Sequence, residues 1–246
     1  MQLFTKYGLD GAFRIGHVIV GVMWMGLLWF FNFVQVPAFA EMEPAARNAA
    51  MDKITWRALW WFRWAAAATV LFGVLILGIG EQYHDSVYWM ETAVGPILLV
   101  GILFGLVMFG NVWLVIWPAQ QIAIANARNL LAGGEANPDA AAAARRGAMA
   151  SRQNMIFSLP LLVSMVGAGH FFVGENFGLV SSGKAMTYLI IGIVVLVVLE
   201  LNALGMISGR GNTGLNVIYE THKNAMITGF GLIVVFYVLA EILLTN

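Results

Sequence analysis

Two sets of polar residues interrupt an otherwise apolar chain, and each has the makings of chemistry. The first is built on histidine. His17 lies near the start of FRIGHVIVGVMWMGLLWFFNF, residues 13–33, with Arg14 one helical turn before it. His170 closes NMIFSLPLLVSMVGAGH, residues 154–170, so that on a helix it lies about 24 Å beyond Asn154. Two imidazoles on different helices at one depth are what a non-covalent haem b requires, one neutral nitrogen on each side of the iron. A metal ion is the less frequent alternative. Phe171, Phe172, Trp24 and Trp89 would wall a flat ring, Gly16, Gly21, Gly167 and Gly169 would leave it room, and Arg14 would pair with a propionate. The competing reading is that interfacial histidines, like the many tryptophans, anchor helix ends among lipid headgroups. His84, beside Asp85 in a connection, reads as solvated.

The second set comprises Asn32, Gln35, Arg63, Asn111, Asn154, Glu200, Asn202, His222 and Lys223. Ionisable groups inside a membrane span are costly unless they face the bundle interior, pair with one another or line a wet cavity, so their default reading is functional. Arg63 with Glu200 is the expected ion pair. The alternative is structural: hydrogen bonds and a salt bridge that join helices, with Arg57, Glu220 and Lys223 extending to the headgroups.

Both sets presuppose helices that cross a membrane. Of 246 residues, 60% are hydrophobic and 11% charged, and the mean hydropathy is +0.80. The apolar residues fall in runs of about twenty, the length that spans a bilayer. The expected fold is therefore an all-α integral membrane protein, a bundle of six spans near 13–40, 56–80, 93–117, 154–175, 185–208 and 217–244. One membrane domain, 1–246, is expected. Within it, the polar segment 118–153 forms short surface helices around the break Gly133-Gly134…Asn137-Pro138. Lys6, Arg14, the apolar run and Ala38-Phe39-Ala40 imitate a signal peptide, but the run is too long for one and reads as a retained helix.

Lysine and arginine set the orientation. The connections after spans one, three and five carry Arg47, Lys53, Arg57, Arg128, Arg145, Arg146, Arg152 and Arg210, whereas the other face has Lys6, Arg14 and Lys184. Both termini are thus expected to face outward, into the periplasm of a bacterial inner membrane. His17 and His170 then share the outer face, and the second set lies toward the cytoplasm.

Several chemistries are excluded. With no cysteine there is no disulfide, iron–sulfur cluster, thiolate metal site or CxxCH haem attachment. Zero net charge and scattered basic residues give no nucleic-acid surface. Met23 and Met25, two apart on a helix, do not face one copper ion. GRGNTG, residues 209–214, follows a helix rather than a strand and is a loop, not a phosphate cradle.

Three stretches carry a resemblance. Arg14-x-x-His17-x-x-x-Gly21-x-x-Trp24-x-Gly26, then NVWLVIWPAQ (Asn111–Gln120), then NMIFSLPLLVSMVGAGH (Asn154–His170) resemble, in this order, the urate oxidase N-terminal domain family, the membrane domain of bacterial urate hydroxylases. Asn111, Val112, Ile116, Pro118 and Gln120 are its most specific part. The resemblance implies a multi-helix membrane domain that oxidises urate and passes electrons to a cytochrome c domain. This sequence has no CxxCH, so a separate c-type cytochrome is the expected acceptor. Gln153 stands where the family pattern implies a histidine before the Leu-Pro, which puts urate activity in question.

Combined with the two layers, the resemblance implies an oxidoreductase. A urate-like molecule or quinol would be bound by Asn32, Asn111 and Asn154; Arg63 would stabilise an anion; Glu200 or His222 would accept protons; electrons would leave through haem b between His17 and His170. The rival expectation is a non-catalytic membrane subunit of a larger respiratory or photosynthetic complex. Copper or haem transport ranks behind both.

Overall fold

Three helices outrun a bilayer because their apolar stretches continue into polar, alanine-rich arms. The computed structural model describes residues 4–173 and 177–245. In it α1 is Lys6–Glu41, α2 Pro44–Ile79 and α3 Val94–Leu131. Next come α4, Ala140–His170, then α5, Ser182–Ala203, and α6, His222–Leu243. At 1.5 Å per residue the first three are roughly 54–57 Å long, against about 30 Å of hydrocarbon. Start signals are conventional: the side chains of Ser181 and Thr221 accept from the amides of Lys184 and Asn224 at the heads of α5 and α6. The described residues form no sheet; one antiparallel bridge joins Thr92 to Leu179.

The protein is all-α, and among the described residues five helices, every one but α4, are long and apolar enough to cross a membrane. Six such spans were expected. The exception has a physical reason: α4 packs against α1, α3, α5 and α6, so protein rather than lipid surrounds much of it. Arg152, Gln153, Asn154 and Ser158 on it are buried beside Met155, Ile156 and Phe157. Close approach is built in on two sides. A Cβ on Gly101 of α3 would lie 2.8 Å from Ser164 Cβ, and one on Gly229 of α6 would lie 3.0 Å from the Ile156 carbonyl oxygen. The expected span 154–175 ends at His170 as helix; its positions 174 and 175 lie outside the described residues.

The segment 118–153 differs from expectation. Its halves are not separate surface helices: they are the end of α3 and the beginning of α4, continuous with the apolar parts on either side of the break. Gly133, at φ +78°, turns the chain. Buried Ala119, Ala123 and Ala127 face Ala143, Gly147 and Ala150, and a Cβ on Gly147 would meet that of Ala119 at 3.2 Å. Small side chains let the two arms pack as a hairpin, which holds them in helix beyond the apolar region.

Three π turns punctuate the long helices: Phe30–Gln35, Met51–Thr55 and Asn111–Ile116. In each, the next amide bonds the carbonyl five residues back, Val36 to Phe31, Trp56 to Met51 and Trp117 to Val112. Two of them lead into Pro37 and Pro118. A proline offers no N–H and crowds the carbonyl four residues back, here Phe33 and Leu114, and the wider turn absorbs that mismatch.

Candidate functional site: a polar layer centred on helix α4

The π turns place asparagines into the bundle. Asn111 opens the turn of α3 and Asn32 lies within that of α1; both are buried. They meet one run on α4, Ser151-Arg152-Gln153-Asn154. Successive helical residues point about 100° apart, so four in a row sweep most of the circumference and need partners on every side.

Each has one. Asn111 donates through Nδ2 to Asn154 Oδ1 (3.0 Å) and to Glu200 Oε2 (3.0 Å), joining α3, α4 and α5. Asn154 Nδ2 donates to the Met108 carbonyl at 2.9 Å. Gln153 Oε1 lies 2.7 Å from the Tyr219 hydroxyl, which is also 3.0 Å from the Leu199 carbonyl. Arg152 donates through Nη1 to Asn32 Oδ1 (2.9 Å). Asn32 in turn donates to Ser151 Oγ (3.1 Å) and to the Leu28 carbonyl (2.8 Å). At the rim Thr55 donates to Gln35 Oε1 at 2.9 Å, so the second π turn meets the first. Asn202 donates to Asn216 at 3.2 Å.

Asn111, Asn154 and Glu200, three of the residues singled out by sequence, are therefore in one cluster, and Asn32 adjoins it through α4. The expected Arg63–Glu200 ion pair does not form. Glu200 has the Asn111 amide as its partner, and the Arg63 guanidinium sits among indoles, 3.8 Å from the ring centre of Trp117. Aromatic faces, not a carboxylate, surround Arg63. His222 heads α6 with its ring edge-on to Phe33, 6.1 Å between centroids, and shares no hydrogen bond with Glu200. Arg152, counted by sequence among loop cations, is 6% exposed inside the bundle and has no carboxylate of the described residues within 4 Å.

Sequence reasoning passed over Ser151, Arg152, Tyr219 and Asn216 as members of the layer. One signal was available: four consecutive polar residues, SRQN, abutting the apolar run of α4. The contribution of Tyr219 and Asn216 carried no such signal, because the chain between α5 and α6 reaches the layer only by tertiary folding. Asn216, fully buried, holds that connection by donating to the Gly209 (3.1 Å) and Gly211 (3.0 Å) carbonyls.

At the opposite end, where α1 begins and α6 finishes, the histidines have different surroundings. His17 packs on α2, where a Cβ on Gly73 would lie 3.3 Å from its Cε1, and its buried Nδ1 has no hydrogen-bond partner. The exposed His170 ring places Nδ1 3.0 Å from the Val166 carbonyl, so that Nδ1 carries the proton and Nε2 keeps a lone pair. Each imidazole thus has a nitrogen without a hydrogen-bond partner among the described residues. Arg14 is engaged by Asp10 (2.8 Å) and the Tyr83 hydroxyl (3.2 Å). His84 closes a short helical turn in the connection after α2. Among the described residues no group of three or more histidines and carboxylates is placed to hold a metal ion.

Comparison with known families adds one link. The family described as urate oxidase N-terminal matches residues 86–204, just under half of the chain. That segment contains α3, α4 and α5, hence Asn111, Asn154, Gln153, Glu200 and His170. Outside it lie Arg14, His17, Asn32, Arg63 and His222, and with them the opening motif of α1. No curated protein and no solved structure matches the chain.

Proposed function

We propose that this chain is a six-span membrane redox protein of the urate oxidase N-terminal type. In this reading it lies in the bacterial inner membrane with both termini in the periplasm, and the polar layer binds a small reduced molecule, urate-like or quinol. The carrying observation is that the Asn111–Asn154–Glu200 cluster, closed by hydrogen bonds between three helices, falls wholly within the segment that matches the family. Asn111, Asn154 and Asn32 offer the amide donors and acceptors that orient a polar heterocycle or a quinol hydroxyl. Glu200 is the acid–base group that takes up a proton as the molecule is oxidised. Arg152, which among the described residues donates only to Asn32 and has no carboxylate beside it, stabilises negative charge on the bound molecule, the part assigned to Arg63 by sequence. His222, at the head of α6, carries protons on toward the cytoplasm.

In this reading haem b would supply the electron-accepting chemistry, with a periplasmic c-type cytochrome beyond it. His17 and His170 would hold it, since each has a free ring nitrogen, and Arg14 would face a propionate. The group supplies one-electron chemistry, which the side chains themselves lack.

A second reading has its own support. Gln153, fully buried, is engaged by the Tyr219 hydroxyl. A side chain committed to packing there suits a non-catalytic subunit of a larger respiratory or photosynthetic complex.

A reduced-minus-oxidised spectrum of the purified protein with a pyridine haemochrome assay separates the two. A b-type spectrum lost in both His17→Ala and His170→Ala is expected. A colourless wild-type protein, purified without cofactor loss, overturns the haem assignment and leaves the subunit reading. With haem in place, Glu200→Gln should slow reduction by urate or quinol at least about 100-fold, the usual range for a lost acid–base group.

A further inference from the structure

We propose that Arg63 and Trp113 form a binding site for the phosphate of an anionic phospholipid, on the lipid-facing side of the α2–α3 interface at the arginine-rich end of the bundle. The site rests on donors without acceptors. The guanidinium of Arg63 makes no hydrogen bond and no ion pair with any described residue, and its Nε is buried. Trp113 Nε1 is likewise buried and without a partner. The Arg63 guanidinium carbon is 5.3 Å from the Trp113 ring centre and 5.7 Å from that of Trp64, so both orphan donors belong to one aromatic cage. Arginine carries five N–H donors and no acceptor, and indole one donor and no acceptor. The complement of such a set is an oxygen-rich anion.

The direction of the side chain indicates the depth of that anion. α2 and α3 run antiparallel, and their tryptophans meet across the interface, Trp64 edge-on to Trp113 at 5.4 Å and Trp56 tilted against Trp117 at 5.2 Å. Arg63 therefore starts at the level of Trp113. Its guanidinium lies closest to Trp117 instead, at 3.8 Å, about one turn nearer the arginine-rich end. The side chain climbs along α3 toward the headgroup region, as long cationic side chains do at membrane depth. Trp60, Trp61 and Trp64 are exposed around it, the arrangement of an interfacial aromatic belt.

Charge selects the occupant. Cation–π contacts hold the guanidinium in place but leave its charge uncompensated, and an uncompensated cation beside hydrocarbon favours a partner with net negative charge. A lipid phosphate supplies that charge together with acyl chains that cover the exposed indoles and Leu114. A soluble phosphate supplies only the charge.

The test uses the full chain in detergent, titrated with chain-brominated phosphatidylglycerol and with chain-brominated phosphatidylcholine while tryptophan fluorescence is followed. Phosphatidylglycerol is expected to quench at about fivefold lower concentration, the effect of one cation near a headgroup. Arg63→Gln should abolish the preference and Arg63→Lys keep most of it. Trp113→Phe, which removes a donor and keeps a ring, should weaken it about threefold. Arg57→Gln, at a nearby cation that instead donates to the Lys53 carbonyl, should leave it in place. Equal quenching by the two lipids in the wild-type protein overturns the proposal. So does a preference that survives Arg63→Gln or is lost in Arg57→Gln, and so does reversal by millimolar inorganic phosphate, which would mark a soluble-anion site. If Arg63→Gln loses its helical circular dichroism signal, Arg63→Lys and Trp113→Phe decide.

Discussion

The two ends of the bundle are both polar, yet they are wired differently. In the layer around Asn154 the principal bonds run between helices: α3 to α4, α3 to α5, α1 to α4, and α4 to the connection before α6. At the histidine end many bonds stay within one helix, Arg14 to Asp10 and His170 to Val166, each four residues apart. Others tie neighbouring elements in pairs: Lys6 to Glu81 and Arg14 to Tyr83 join α1 to the connection after α2, and Lys184 to the Thr245 carbonyl joins the head of α5 to the end of α6. Equal depth therefore does not make two regions equivalent. A layer becomes a single unit when a helix surrounded by others presents polar groups on several sides at once, and α4 alone does so.

This contrast orders the expected effects of substitution. The largest belongs to Asn154→Ala, which removes a second donor from the Met108 carbonyl and takes one acceptor from the Asn111 amide in the buried interior; a loss of about 1–3 kcal/mol is expected in a denaturation titration with sodium dodecyl sulfate. A cost near zero would mean that the cluster is hydrated and relaxes freely, and the distinction from the histidine end would disappear. Tyr219→Phe should cost less, about 1 kcal/mol, because Gln153 loses one bond while the ring stays packed. The same titration also tests whether the connection between α5 and α6 is part of the layer.

At the other end the effects should shrink. His170→Ala, measured on cofactor-free protein, should change stability by no more than about 0.5 kcal/mol, since the exposed ring bonds only its own helix. The smallest effect is at the Lys6–Glu81 pair, where hydrogen bonding to the ammonium lowers the Glu81 carboxyl below its ordinary value. Such a pair adds stability above the unfolded carboxyl value, about pH 4.3, and loses it as pH falls through the lower folded value. Glu81→Gln should remove that acid-side slope and leave the neutral-pH stability almost unchanged, because the pair is solvent-exposed.

Much of the fold was legible in the sequence because hydropathy acts locally. Five helices long and apolar enough to span follow from runs of apolar residues, each compared with the thickness of a bilayer. The sixth expected segment shows the limit: α4 is less apolar than the others because α1, α3, α5 and α6 take the place of lipid around it, and hydropathy records only what a residue tolerates, not what surrounds it. In the polar segment 118–153 the expected helices form on both sides of the break, but their continuity with the apolar parts of α3 and α4 was not legible, for a related reason. Its helices are held by alanine and glycine contacts between Ala119 and Gly147, and these exist only once the hairpin has closed.

In the candidate site, the residue types alone marked Asn32, Asn111, Asn154 and Glu200, because an amide or carboxyl within an apolar run must find a partner. Which partner it finds was beyond reach. Arg63 and Glu200 have opposite charges at similar depth, and sequence joins them. The structure turns Arg63 toward Trp117 and gives Glu200 to Asn111, since helix rotation and the π turn at Asn111 decide which way each side chain points. By itself the sequence determined the helical class, the membrane-length elements and the two polar levels, all consequences of burial energies summed along the chain. Tertiary structure alone decided that α4 stands at the centre and that Arg152, Gln153 and Tyr219 belong to its layer. It also decided that Arg63 lies outside that layer, because contacts between helices depend on their relative rotation and order, which no local pattern encodes.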